Sequence, residues 1–143
     1  MHKFHAHINF AVPSATRGES EINMEILRSN IDSANKFDVY RLTKSSGEMV
    51  QNIVDGLSVP VGKWALYTDL KEGRDGTTKE QQVLSIVDTA GVKYSTVSAT
   101  FIREFLDIID IMDGDAFAVI IRHGQTKSGK NFVTCELDCD YRG

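Results

Sequence analysis

Hydrophobic positions along this chain change period several times, and each change marks an element. Residues 37–45, "FDVYRLTKS", alternate well enough for a short strand. Residues 45–56, "SSGEMVQNIVDG", offer one or two helical turns with Met49, Ile53 and Val54 on one side and Gly56 as a stop. The next strand is "LSVPVGKWALYTDL" (57–70), whose Pro60 puts its start at a sheet edge or bulge. A charged loop, "KEGRDGTTKEQ" (71–81), separates it from "VLSIVD" (83–88). The turn "TAG" then leads into "VKYSTVS" (92–98), a hairpin signal. Past this point the period lengthens. Phe101, Phe105, Ile108, Ile109 and Met112 recur at helical spacing, with Ser98 or Thr100 as the cap and Asp113-Gly114 as the end. Two last strands, "FAVIIR" (117–122) and "NFVTCEL" (131–137), flank a polar loop.

From residue 57 onward the order is strand, strand, strand, helix, strand, strand. That order predicts a mainly β fold, a five-stranded OB-like barrel with its helix between strands 3 and 4. A different small barrel or an open sheet with one helix also fits the pattern. Residues 24–143 form the expected OB-like nucleic-acid-binding domain. Residues 1–23 read as a peripheral N-terminal segment, because "AVPSATRGESEIN" is rich in Ser, Pro, Gly and Thr and has no apolar period.

Composition narrows the class. With 143 residues, 41% hydrophobic and 25% charged, the chain can build a core without metals or disulfides. It has no apolar run near the ~20 residues of a membrane span and no secretory leader pattern. Cys135 and Cys139 are too far apart on a strand to bond to each other, which favours a reduced, cytoplasmic protein. His2, His5 and His7 alternate, yet solvated terminal histidines explain them better than a metal site. No cofactor is expected.

The net charge is −4 and the pI about 5.5, which speaks against coating of nucleic acid by the whole surface. The charge is unevenly spread, however. The segment "RHGQTKSGKNF" (122–132) carries Arg122, Lys127 and Lys130, one histidine and no acid. In an OB-like barrel this loop and 71–81 would flank the oligonucleotide face. Lys127 and Lys130 sit either side of Ser128-Gly129 at a tip expected to be mobile, and Arg122 at its base suits bidentate phosphate contact. Lys63, Lys71, Arg74, Lys79 and Lys93 could extend the track, although Lys71 and Lys79 read better as ordinary surface lysines.

Single-strand binding also needs open aromatic faces. Tyr67 shares strand parity with Lys63, and that side is expected to be the wetter. Trp64 shares parity with Leu66 and belongs to the core. Tyr67, Tyr94 and Phe132 are therefore the stacking candidates. Catalysis finds no support. "GQTKSGKNF" has the wrong spacing for a phosphate loop and leads into a strand instead of a helix. The acidic run Asp107, Asp110, Asp113 and Asp115 reads as a solvated helix face, so a non-enzyme is expected.

Two segments carry a family resemblance: Tyr94, Thr96, Ser98, Thr100, Phe101, Arg103 and Phe105, then Gly124, Thr126, Lys127, Gly129, Lys130 and Phe132. Over about residues 24–138 the chain resembles small single-stranded-DNA-binding proteins of bacteriophages and mobile elements of Gram-positive bacteria. The resemblance implies coating of single strands during replication or recombination, inside a bacterial host cell. It leaves replication-protein partners and self-association open. Housekeeping proteins of this type end in an acidic tail closing with Pro-Phe, whereas this sequence ends "DCDYRG", so tail-mediated recruitment is not expected. The rival reading from another class is a protein-interaction module of a phage replisome or virion.

Overall fold

The computed structural model describes residues 7–9 and 23–143, with side chains from Met24 on except Lys71. His2, His5 and most of the N-terminal segment lie outside the described residues, as does the side chain of Lys71. Eight described strands form one curled sheet: β1 (His7–Asn9), β2 (Asn23–Ser29), β3 (Glu48–Met49), β4 (Ser58–Glu72), β5 (Thr78–Asp88), β6 (Lys93–Thr96), β7 (Ala118–Gln125) and β8 (Asn131–Leu137). The helices are α1 (Lys36–Thr43) and α2 (Ala99–Met112), and a 3-10 turn spans Val50–Asn52.

The sheet runs β1-β2-β4-β5-β6-β3, while β7 branches from β4 and carries β8. One long strand makes this possible. Ser58–Pro60 of β4 pair with β7, and Ala65–Ser29 through Thr68–Glu25 join the same strand to β2. Between the two ladders the β4–β5 register shifts at Val61/Lys63. Gly62 sits in that bulge, where an added Cβ would lie 2.9 Å from the Val87 carbonyl oxygen. A bulge with a close backbone approach bends a strand, and here it turns the sheet's corner.

The curl does not close. Among the described residues β8 pairs with β7 alone, and β6 pairs with β5 and the short parallel β3. The expected five-stranded barrel is thus corrected to an eight-stranded open curl with two helices. In that count α2 follows the sixth strand, so the expected placement between strands 3 and 4 does not carry over.

Both faces of the sheet are covered. Inside the curl, Trp64, Leu66, Leu84, Ile86 and Tyr94 pack with Phe101 and Phe105 of α2 and with Val119, Ile121 and Val133 of the β7–β8 hairpin. Trp64 is core, as its parity implies, and meets Phe105 edge to face at 5.5 Å. Ser98 caps α2 by accepting from the Phe101 N–H, and Asp113 ends it in the left-handed region (φ 49°), followed by Gly114 (φ 94°). On the outer face Met24, Ile26, Val39 and Leu42 bury Ala65, Tyr67, Val83 and Val87.

Residues 36–43 are a helix, not the expected strand. Asn35 caps it by accepting from the Asp38 N–H, and its buried pair, Val39 and Leu42, has helical spacing. The helical turns expected in 45–56 reduce to the 3-10 turn behind β3, which lies along β6.

Candidate nucleic-acid interface

Failure of the curl to close leaves a seam between the end of β6 and the β7–β8 hairpin. An open groove of about 820 Å³ runs through it, with Thr96, Val97 and Ser98 on one wall and His123, Gly124 and Phe132 on the other. Ser98 ties the walls together: its hydroxyl donates to the Val133 carbonyl at 3.0 Å while its oxygen caps α2. The His123 ring Nε2 lies 2.6 Å from the Ile53 carbonyl, so that nitrogen carries the proton. The His123 backbone N–H donates to Asp55 at 2.7 Å, which anchors the hairpin base.

Phe132 owes its position to a glycine. It pairs across the hairpin with Gly124, where an added Cβ would come within 2.6 Å of the Phe132 ring. The ring lies over bare backbone and stays 37% exposed. Beyond it the chain turns through an internally hydrogen-bonded tip. The Gly129 N–H donates to the Thr126 carbonyl and the Lys130 N–H to the Thr126 hydroxyl, at 2.9 and 3.1 Å, with Gly129 at φ 88°. These hydrogen bonds define the turn that carries the two lysines. Lys127 and Lys130 are exposed, and among the described residues neither ammonium pairs with a carboxylate.

The other expected contacts lie elsewhere. Arg122 is matched by Glu136 at 3.1 Å and Asp55 at 3.7 Å, so its charge is already balanced. Lys63 pairs with Asp38 of α1 at 2.9 Å on the outer face. Lys93 is 8% exposed and donates to the Ser45 carbonyl; burial pushes its pKa down. Tyr67 and Tyr94 are 5% and 8% exposed, and burial raises the pKa of both phenols. Open ring faces were expected at these two tyrosines, and burial corrects that. Tyr67 is under α1, and Tyr94 points into the inner core. Of the eight expected contacts the seam brings together Lys130 and Phe132, with Lys127 at the adjoining tip.

Sequence reasoning missed Val97 and His123 as groove residues and gave Ser98 only its capping role. The Gly124–Phe132 pairing was the available signal, since the spacing of the hairpin sets them opposite each other. Cys135, pushed up to about 12 by burial, is a protonated core thiol and no nucleophile at neutral pH.

Known proteins resemble this chain over most of its length. The family model described as phage single-stranded DNA-binding protein matches residues 21–138. The single-stranded DNA-binding protein of Bacillus phage phi29 is 23% identical over 121 residues, covering 80% of this chain and 97% of that protein. No solved structure matches. The chain belongs to the phage single-stranded DNA-binding protein family.

Proposed function

We propose that the chain coats single-stranded DNA without catalysis and with little sequence preference, during phage or mobile-element replication or recombination. The observation that carries this reading is the seam: two lysines with no carboxylate partner among the described residues, beside a half-open phenyl ring, in a chain of this family. Lys127 and Lys130 take phosphates, and a base stacks on Phe132. Neither contact reads base identity, because every nucleotide has a phosphate and every base a π-face. Arg122 acts indirectly in this scheme, by pairing with Asp55 and Glu136 and so reducing the negative charge they present to the strand.

Affinity for single-stranded DNA measured across a salt series tests the reading. Binding should weaken steeply as salt rises, and Lys127→Ala with Lys130→Ala should lower the log–log slope by about 0.7 for each phosphate no longer neutralised. Phe132→Ala should weaken binding by about 1–3 kcal/mol and leave the slope in place. A slope indifferent to the lysine pair would remove the tip from the interface.

A further inference from the structure

Helix α1 shows a second surface that the seam does not use. Val39 and Leu42 are its buried side. Phe37, Tyr40, Arg41 and Lys44 follow at i, i+3, i+4 and i+7, all on one outward stripe. Phe37 is 88% exposed and Tyr40 61%. Single exposed apolar residues are ordinary, but two aromatics flanked by cations on one short helix are a pattern. The helix's acid, Asp38, is neutralised because both its oxygens accept from Lys63. Arg41 donates to the Gly91 carbonyl in the β5–β6 turn, which steadies its guanidinium, and no carboxylate pairs with it among the described residues.

The stripe borders a groove of about 500 Å³ whose lining includes Phe37, Tyr40, Arg41, Gly91 and Lys93 together with the Lys63-paired Asp38. Strand β6 connects the two grooves, since Lys93 lines this one and Thr96 lines the seam. Lys93 and Thr96 are three residues apart, so their side chains leave opposite faces of the sheet, and a nucleic-acid strand passing from one groove to the other rounds the β3 edge.

We propose that the α1 stripe is a second contact for single-stranded DNA, where Phe37 and Tyr40 stack bases and Arg41 and Lys44 hold the flanking phosphates. This rests on the single-strand reading of the seam and extends its track around the β3 edge. Charge complementarity selects the occupant. The chain is acidic overall, yet this face offers Lys36, Arg41 and Lys44 with its one acid tied off. Rings beside unpaired cations suit bases joined by phosphates.

The test is the paired substitution Phe37→Ala with Tyr40→Ala in the full chain, which touches only exposed rings. Affinity is measured for oligodeoxythymidylates of about 5 and about 20 nucleotides, lengths at the low end of and just beyond the range one OB-type site covers. The long oligonucleotide should bind about thirtyfold more weakly or worse, as the loss of two base stacks implies, and the short one should bind as before. A Tyr40→Trp variant should also show indole quenching with the long oligonucleotide. Unchanged long-oligonucleotide affinity, with the Lys127/Lys130 substitutions still weakening both lengths, overturns the stripe and leaves the seam standing. If the lysine substitutions have no effect either, the seam reading itself fails. Loss of binding to a replication protein with DNA affinity intact would make α1 a protein-docking face and overturn the proposal.

Discussion

The two faces of β4 are buried by different means. Trp64 and Leu66 look inward onto α2, a helix of 14 residues with a side-chain cap and four buried residues. Ala65 and Tyr67 look outward onto β2 and α1, a helix of 8 residues with only two buried residues. Long amphipathic helices declare themselves through several repeats of their period, whereas a helix of two turns is stabilised chiefly by the sheet it docks on. The difference has a functional consequence. Because α1 covers the outer face, Tyr67 and Lys63 are engaged in packing and pairing there, and in the reading proposed above it is the uncovered seam that meets the DNA.

Stability measurements test this contrast most strongly. Trp64→Ala should cost about 3–5 kcal/mol and Leu42→Ala about 2–5 kcal/mol in urea unfolding, since both empty a packed core. The inner substitution should cost more, as the larger side chain and the larger cluster imply. A Leu42→Ala protein as stable as the parent would break the comparison, because α1 would then be a loose cover and not part of a second core.

Alkaline titration compares the faces next. Cys135 lies in the inner core with its thiol raised from 9.0 to about 12, by burial first and then by Glu104 and Glu136. The unfolded thiol ionises near 9 while the folded one keeps its proton, so the folded state binds more protons between those values. Its stabilising contribution is therefore complete below about pH 9 and is lost as pH rises toward 12. Tyr67 on the outer face and Tyr94 on the inner add the same sign above 10.0, and Lys93, lowered by burial, adds the opposite sign below 10.5. Cys135→Ala should flatten the fall in stability just above pH 9, where the tyrosines contribute least. Parallel pH profiles for parent and variant would contradict the burial assigned to this thiol.

What could be read from sequence follows the same division. The inner half was legible: the hairpin at 89–91, the α2 period, the end at Asp113-Gly114 and the core role of Trp64 all rest on local periodicity or turn chemistry. The outer half was not. Strand parity placed Tyr67 correctly on the side opposite Trp64, but parity cannot say what covers that side. The cover comes from residues 24–43, where "FDVYRL" can be read with period two as easily as with a two-turn helix. Tyr94 failed for another reason. Its partner Ile86 and the α2 phenylalanines close over it, a tertiary arrangement with no local mark. The β7–β8 hairpin was legible because two β-prone runs flank a polar, glycine-containing tip, while the charge balance at Arg122 depends on Asp55, far away in sequence.

The smallest expected effect concerns the rim of the outer face. β1 adds three residues to β2, pairing His7 with Glu25, Ile8 with Met24 and Asn9 with Asn23. Every described core residue lies at Met24 or beyond. We expect residues 1–23 to be dispensable, so that a chain shortened to begin at Met24 folds and binds single-stranded DNA with its salt slope intact. Edge ladder hydrogen bonds contribute little net, and their loss should lower stability by about 1 kcal/mol or less. Shortening also bares the edge of β2, and an exposed strand edge invites pairing between copies. Unfolding and sedimentation of the shortened chain would decide the matter. A loss of several kcal/mol, or aggregation, would make the N-terminal strand a structural part of the outer layer and move the domain boundary ahead of residue 7. A shortened chain that stays monodisperse and stable would confine the outer core to β2, α1 and the sheet they cover.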